Sequence, residues 1–147
     1  MAKINLYLNF NGNCEEAFLF YADVFKTSVN GTYRYGDMPI EPNMPSLSEE
    51  NKKKILHTSI GLKDNTMLMG SDVVEGYGGK LIQGNSTYIM LDVNSIEEAN
   101  TYYDALSKEA RVLEMKLGET FFAERFASLQ DKFGIYWMIH FEGSKKM

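Results

Sequence analysis

The strongest constraint on this chain is that part of its sequence occurs twice. Asn13, Glu15-Glu16-Ala17, Phe20-Tyr21 and Val24 fall without gaps on Ser95, Glu97-Glu98-Ala99, Tyr102-Tyr103 and Leu106. The match takes in a helix cap, an apolar stripe and an aromatic pair together, which is more than a chance likeness over a few residues supplies. Each copy reads as an amphipathic helix. Asn13 with Glu16, and Ser95 with Glu98, have the spacing of a capping box. Cys14, Ala17, Phe18, Tyr21, Val24 and Phe25 follow at helical period in the first copy, and Ile96, Ala99, Tyr103 and Leu106 in the second.

The flanks of the two helices agree as well. Before them, residues 4–10 alternate through Ile4, Leu6, Leu8 and Phe10, and residues 88–93 form a second strand-like run. After the first helix, residues 29–35, 56–62 and 66–71 read as strands; after the second, residues 112–117, 121–129 and 135–141 do. Lys63-Asp64-Asn65 and Asp131-Lys132-Phe133-Gly134 supply hairpin turns. The order is βαβββ, twice, an α+β chain. Module one is expected at residues 3–72, a linker at 73–84 and module two at 85–142, all within one domain over 1–147. Residues 36–54, which hold Pro39, Pro42 and Pro45, read as a long loop.

Charge and chemistry narrow the function. A formal net charge of -5 argues against nucleic acid, and the one dense basic cluster, Lys52-Lys53-Lys54, follows Glu49-Glu50 and reads as a solvated loop end. The single Cys14 sits on the apolar stripe, where a core cysteine is the expectation rather than a nucleophile. No run approaches a membrane span, and the opening residues carry no signal-like apolar stretch, so a cytoplasmic protein with no membrane partner is expected. Glycines 76, 78, 79 and 84 match neither a dinucleotide nor a P-loop pattern, and no Rossmann-type site for S-adenosylmethionine is expected. Glu15-Glu16 and Glu97-Glu98 are accounted for by their places in the first turns of helices.

A duplicated βαβββ unit resembles the vicinal oxygen chelate superfamily of glyoxalases, bleomycin-resistance proteins and extradiol dioxygenases. Particular segments are similar to its PhnB-like branch. These are Tyr7-Leu8-Asn9-Phe10-Asn11-Gly12-Asn13 running into Glu16-Ala17 and Phe20-Tyr21, Tyr35-Gly36-Asp37-Met38-Pro39, and Met67-Leu68-Met69 with Ser71-Asp72. Glu119-Thr120-Phe121, Arg125-Phe126, and Asp131-Lys132-Phe133-Gly134 with Trp137-Met138-Ile139 complete the likeness. The resemblance implies tandem modules forming a pair of curved mixed-sheet half-barrels, glyoxalase/bleomycin-resistance-like, with a small molecule held in the concavity between them. It also implies a homodimer.

In enzymes of that superfamily, metal ligands of the His, Gln or Glu type sit on the first and last strands of each module. The resemblance puts those positions at Leu6 or Tyr7, Met69, Tyr88 and Met138. Thioethers and phenols are poor donors for a divalent ion, so neither metal nor other cofactor is expected. The reading is then a binding protein that kept the cavity. Tyr7, Met69, Tyr88, Tyr136 and Met138 would supply its walls, and His57, Ser59 and Glu124 its polar groups. Glu124 is assigned by strand alternation with Phe122, Phe126 and Ser128, leaving Arg125 on the other face.

Two alternatives stay open. One is a metal-dependent lyase, isomerase or transferase that uses displaced ligands, His57, Glu124 and His140, with Asp72 or Glu142 near them. The other is a structural dimer whose cavity its own side chains fill.

Overall fold

The alternation and helical stripes become regular elements in a computed structural model that describes residues 1–145. In chain order these are β1 (Leu6–Phe10), α1 (Cys14–Val24), β2 (Val29–Arg34), α2 (Glu49–Lys52), β3 (Ile55–Gly61), β4 (Met67–Asp72), β5 (Ile89–Asp92), α3 (Ile96–Leu106), β6 (Val112–Gly118), β7 (Arg125–Gln130) and β8 (Tyr136–Phe141). The strands form two four-stranded sheets, ordered β1-β4-β3-β2 and β5-β8-β7-β6. In each sheet the first and last strands of the set pair in parallel, β1 with β4 and β5 with β8, and every other pairing is antiparallel. The repeat in sequence is thus a repeat in topology. The chain divides into two compact units, Met1–Ile82 and Gln83 onward.

In the first unit, α1 covers one face of its sheet. Leu68 and Gly70 on β4 stand opposite Ile60 and Thr58 on β3, and all four are buried with Phe10 and the helix residues Ala17, Phe18 and Tyr21. A methyl group on Gly70 would lie 2.5 Å from a ring carbon of Phe18, so glycine sets how closely the helix approaches. In the second unit Ala127 and Leu129 of β7, with Trp137 and Ile139 of β8, are buried on the face served by Ala99 and Leu106 of α3. Alternation sends the next residues of every strand to the opposite, more open face.

The structure departs from the local reading at three places. Asn13 makes no side-chain cap at α1. Asp72, at the end of β4 and 2% exposed, takes that role: Oδ1 accepts the amides of Gly12 at 2.9 Å and Cys14 at 3.0 Å, and Oδ2 accepts that of Ile55 at 2.9 Å. At α3 the expected cap forms, with Ser95 accepting from the Glu98 amide at 3.0 Å and Glu98 accepting from that of Asn94 at 3.1 Å. The strand expected from residue 121 begins at Arg125. The Thr120 hydroxyl accepts the amides of Phe122 at 3.2 Å and Ala123 at 3.0 Å, which folds that segment into a turn.

The third departure is in residues 36–54, where a helical turn, α2, interrupts the expected loop. Ser48 caps it by accepting from the Asn51 amide at 3.0 Å. Lys52 pairs with Glu49 at 2.9 Å, which satisfies part of the basic cluster locally. Residues 73–82, read as linker, belong to the first unit, where the Tyr77 hydroxyl donates to the Pro45 carbonyl.

Candidate functional site

The open face of the first sheet gathers four of the expected site residues. Tyr7 on β1 stands beside Met69 on β4, which stands beside Ser59 on β3. His57, two positions along β3, approaches Tyr7, with its Nδ1 3.4 Å from the phenol oxygen and the ring centroids 5.8 Å apart. Ser59 is 4% exposed and spends its hydroxyl on the Asn30 carbonyl at 3.1 Å, so it has little left to offer a ligand. Tyr33 on β2 pairs with His57 and extends the aromatic face toward solvent.

The open face of the second sheet carries Tyr136, Met138 and His140 of β8, beside Gln130, Ser128 and Phe126 of β7 and, across β5, Met90 and Asp92. Tyr88, just before β5, packs its ring on Tyr136 at a centroid distance of 5.2 Å. A further carboxylate on this face is Glu114 of β6. Its Oε1 accepts the Tyr88 hydroxyl at 2.8 Å and the Ser128 hydroxyl at 2.7 Å, and its Oε2 lies 2.9 Å from the same phenol. The bond to Glu114 is the main reason the Tyr88 phenol is held above its ordinary pKa, with burial and the Glu114 charge adding to it and a contact from Asn85 opposing it. Tyr88 therefore stays a neutral donor to a carboxylate.

Sequence alternation pointed to Glu124 for this role and missed Glu114. Glu124 lies outside β7, and its carboxylate accepts the Ser144 amide in the tail that follows β8. Val112 stands opposite Gln130 on this face, and alternation carries Glu114 to the same side, where the slip in β6–β7 register between Leu113 and Met115 sets it beside Ser128. The signal in sequence was slight: a carboxylate in an otherwise apolar run, Val112-Leu113-Glu114-Met115.

Three other titratable groups are engaged in structure. His140 Nδ1 meets Asp92 Oδ1 at 2.9 Å, and the ring stacks on Phe122 at 6.3 Å and 13°. Cys14 is wholly buried, and burial, followed by the Asp72 and Glu15 charges, pushes its thiol far up, so it remains protonated and inert. Asp131 is buried at a turn, where Oδ1 accepts the Phe133 and Ile135 amides at 2.8 and 3.0 Å and Oδ2 accepts the Trp137 indole N–H at 2.8 Å. The most distinctive motif in the sequence is thus a folding device.

The metal chemistry of the related fold does not fit these residues. The implied ligand positions hold Tyr7, Met69, Tyr88 and Met138, and the tyrosines are hydrogen-bonded to His57 and Glu114. Of the displaced candidates, Asp72 and Glu124 are bound to backbone amides and His140 to Asp92. Among the described residues no group of three or more His, Cys, Asp or Glu side chains is arranged to hold an ion.

Two βαβββ units, each a mixed sheet with one helix on one face and aromatic and thioether side chains on the other, define a protein of the glyoxalase/bleomycin-resistance-like class. The chain belongs to the PhnB-like family: the family model described as 3-demethylubiquinone-9 3-methyltransferase matches residues 2–140. Protein YjdN of Escherichia coli K12 is 30% identical over 139 residues, covering 91% of each chain. Protein PA1353 from Pseudomonas aeruginosa has a structure similar to this one with a TM-score of 0.79 at 33% identity, covering 97% of this chain and 98% of that one. A PhnB protein from Bacillus cereus has the same fold with a TM-score of 0.74 at 23% identity, covering 95% of this chain and 99% of that one.

Proposed function

We propose that this chain is a metal-independent small-molecule-binding protein of the glyoxalase/bleomycin-resistance type, acting as a cytoplasmic homodimer. The observation that carries the reading is the convergence of the Tyr88 and Ser128 hydroxyls on the Glu114 carboxylate, on a face that also carries Tyr136, Met138 and Met90. A few oriented polar groups on aromatic and thioether walls are the usual composition of a ligand site. Tyrosine rings and thioethers favour planar or aromatic molecules. The open face of the first sheet, with Tyr7, Met69 and His57, has similar chemistry and is assigned a supporting role.

The family description names a methyl transfer. Transfer from a donor held in a doubly wound site needs parallel strands joined by helical crossovers and a glycine-rich turn. Here each sheet has one parallel pair and is otherwise built by antiparallel pairing, which favours binding over that chemistry.

The test is a thermal-shift screen of aromatic metabolites, followed by titration against Tyr136→Ala and Met138→Ala. A true ligand at about 100 times its Kd stabilises the protein by about 2.7 kcal/mol, and each variant weakens it about tenfold. A ligand whose affinity neither variant changes, or a screen in which nothing shifts the melting temperature, overturns the proposal. Light scattering checks the dimer, and a monomer mass at micromolar concentration refutes it.

A further inference from the structure

We propose that the second sheet selects an organic cation, a protonated amine on an aromatic or alkyl body, with Glu114 as its counter-ion. This rests on the binding role proposed above and names the ligand class of the same face.

Glu114 is held by neutral hydroxyls, whereas five other acidic side chains meet a basic one. Glu15 pairs with Arg34, Glu49 with Lys52, Glu109 with Lys132, Glu119 with Lys145, and Asp92 with His140. Glu114 is exposed and, among the described residues, forms no ion pair; Lys116, two positions along the same strand, does not pair with it either. Its donors are two neutral hydroxyls, those of Tyr88 and Ser128. They fix the direction of the carboxylate without cancelling its charge. A carboxylate offers about four lone-pair sites, and these two protons leave acceptor capacity for a ligand.

The surroundings decide which cation. One carboxylate with thioether neighbours is a poor seat for a divalent metal, which wants several oxygen or nitrogen donors. The Tyr88 and Tyr136 rings, 5.2 Å apart and tilted by 60°, offer π-faces beside the charge, and Met138 and Met90 lie next to each other on paired strands. Ammonium groups gain both from a carboxylate and from aromatic faces. An anion of the same shape meets the Glu114 charge, and a neutral isostere forgoes the ion pair. Net charge of -5 on the whole chain works in the same direction.

The experiment uses three probes of one shape: phenethylamine, 2-phenylethanol and 3-phenylpropionate. Each is titrated into the full chain and followed by amide shifts in 15N spectra. The amine is expected to bind about tenfold tighter than the alcohol, with shifts on β6, β8 and the Tyr88 segment, and the carboxylate to bind weakest. Glu114→Gln keeps a carbonyl acceptor for the two hydroxyls and is expected to weaken the amine about tenfold and the alcohol by much less, so that the preference is lost. Tyr88→Phe keeps the charge but not its orientation, and is expected to reduce the preference without abolishing it. Raising salt from about 0.02 to about 0.5 M shortens the screening length and shrinks the preference.

If the three probes bind alike, or Glu114→Gln weakens all of them equally, selection by charge is refuted while the binding face stands. If the amine binds but its shifts lie away from β6 and β8, this site is refuted. If none of the probes binds, this inference is refuted, and the thermal-shift screen alone decides the function it rests on.

Discussion

Three carboxylates in this protein do two different jobs, and their partners explain which. Asp72 and Asp131 are buried and surrounded by N–H donors, so both are structural. Glu114 is exposed and held by hydroxyls, so its charge remains available. Asp131 also explains why the Asp-Lys-Phe-Gly segment and Trp137 belong together. The turn needs Gly134 at a φ of 93°, and the indole N–H donates to the same carboxylate. Asp131→Ala strands buried donors and is expected to lower stability by about 3 kcal/mol, measured by urea denaturation; a loss under about 1 kcal/mol contradicts the assignment. The role of Asp131 was not legible in sequence, because a motif shows which residues accompany one another and not whether they fold or bind.

At the scale of elements, two matching helices settle differently on their sheets. The α3 cap is local, made by Ser95 and Glu98, and was readable from spacing. At α1 the cap is contributed by Asp72, whose bonds to Gly12 and Cys14 span 60 and 58 residues. Asn13 and Ser95 are both good capping types, and sequence spacing alone cannot show that another carboxylate already occupies the amides. Helix approach is likewise a pairwise matter. With Phe18 over Gly70, Gly70→Ala forces a methyl into an aromatic ring and the Leu8 carbonyl. We expect a loss of about 2 kcal/mol with the far-UV spectrum unchanged, read from thermal or urea unfolding. An unchanged midpoint shows that α1 can move outward without cost. Irregular pairing has the same character: the slip that sets Ser128 beside Glu114 leaves no mark in the apolar pattern of β6.

For the molecule as a whole, the donor chemistry of both sheets bears on metal dependence. The positions that the resemblance assigns to metal ligands hold Leu6 or Tyr7, Met69, Tyr88 and Met138, and the histidines and several carboxylates have partners of their own. The protein purified without chelator is therefore expected to carry well under one equivalent of zinc, nickel, manganese or iron. Dialysis against a chelator is expected to leave its melting temperature and ligand affinity unchanged. Stoichiometric metal that is lost in His57→Ala reverses this conclusion and makes the protein an enzyme to be sought.

Periodicity and spacing alone determined the βαβββ order, its duplication, the apolar stripes of α1 and α3, and which strand faces meet a helix. Those features depend on residues close together in the chain, where side-chain direction follows from the period. Tertiary structure decided what each carboxylate does. Tyr88 and Ser128 lie 26 and 14 residues from Glu114, and a hydrogen bond over such separations exists only once strand register and bulges are set. Register is a property of paired strands, so a single strand read by itself does not contain it.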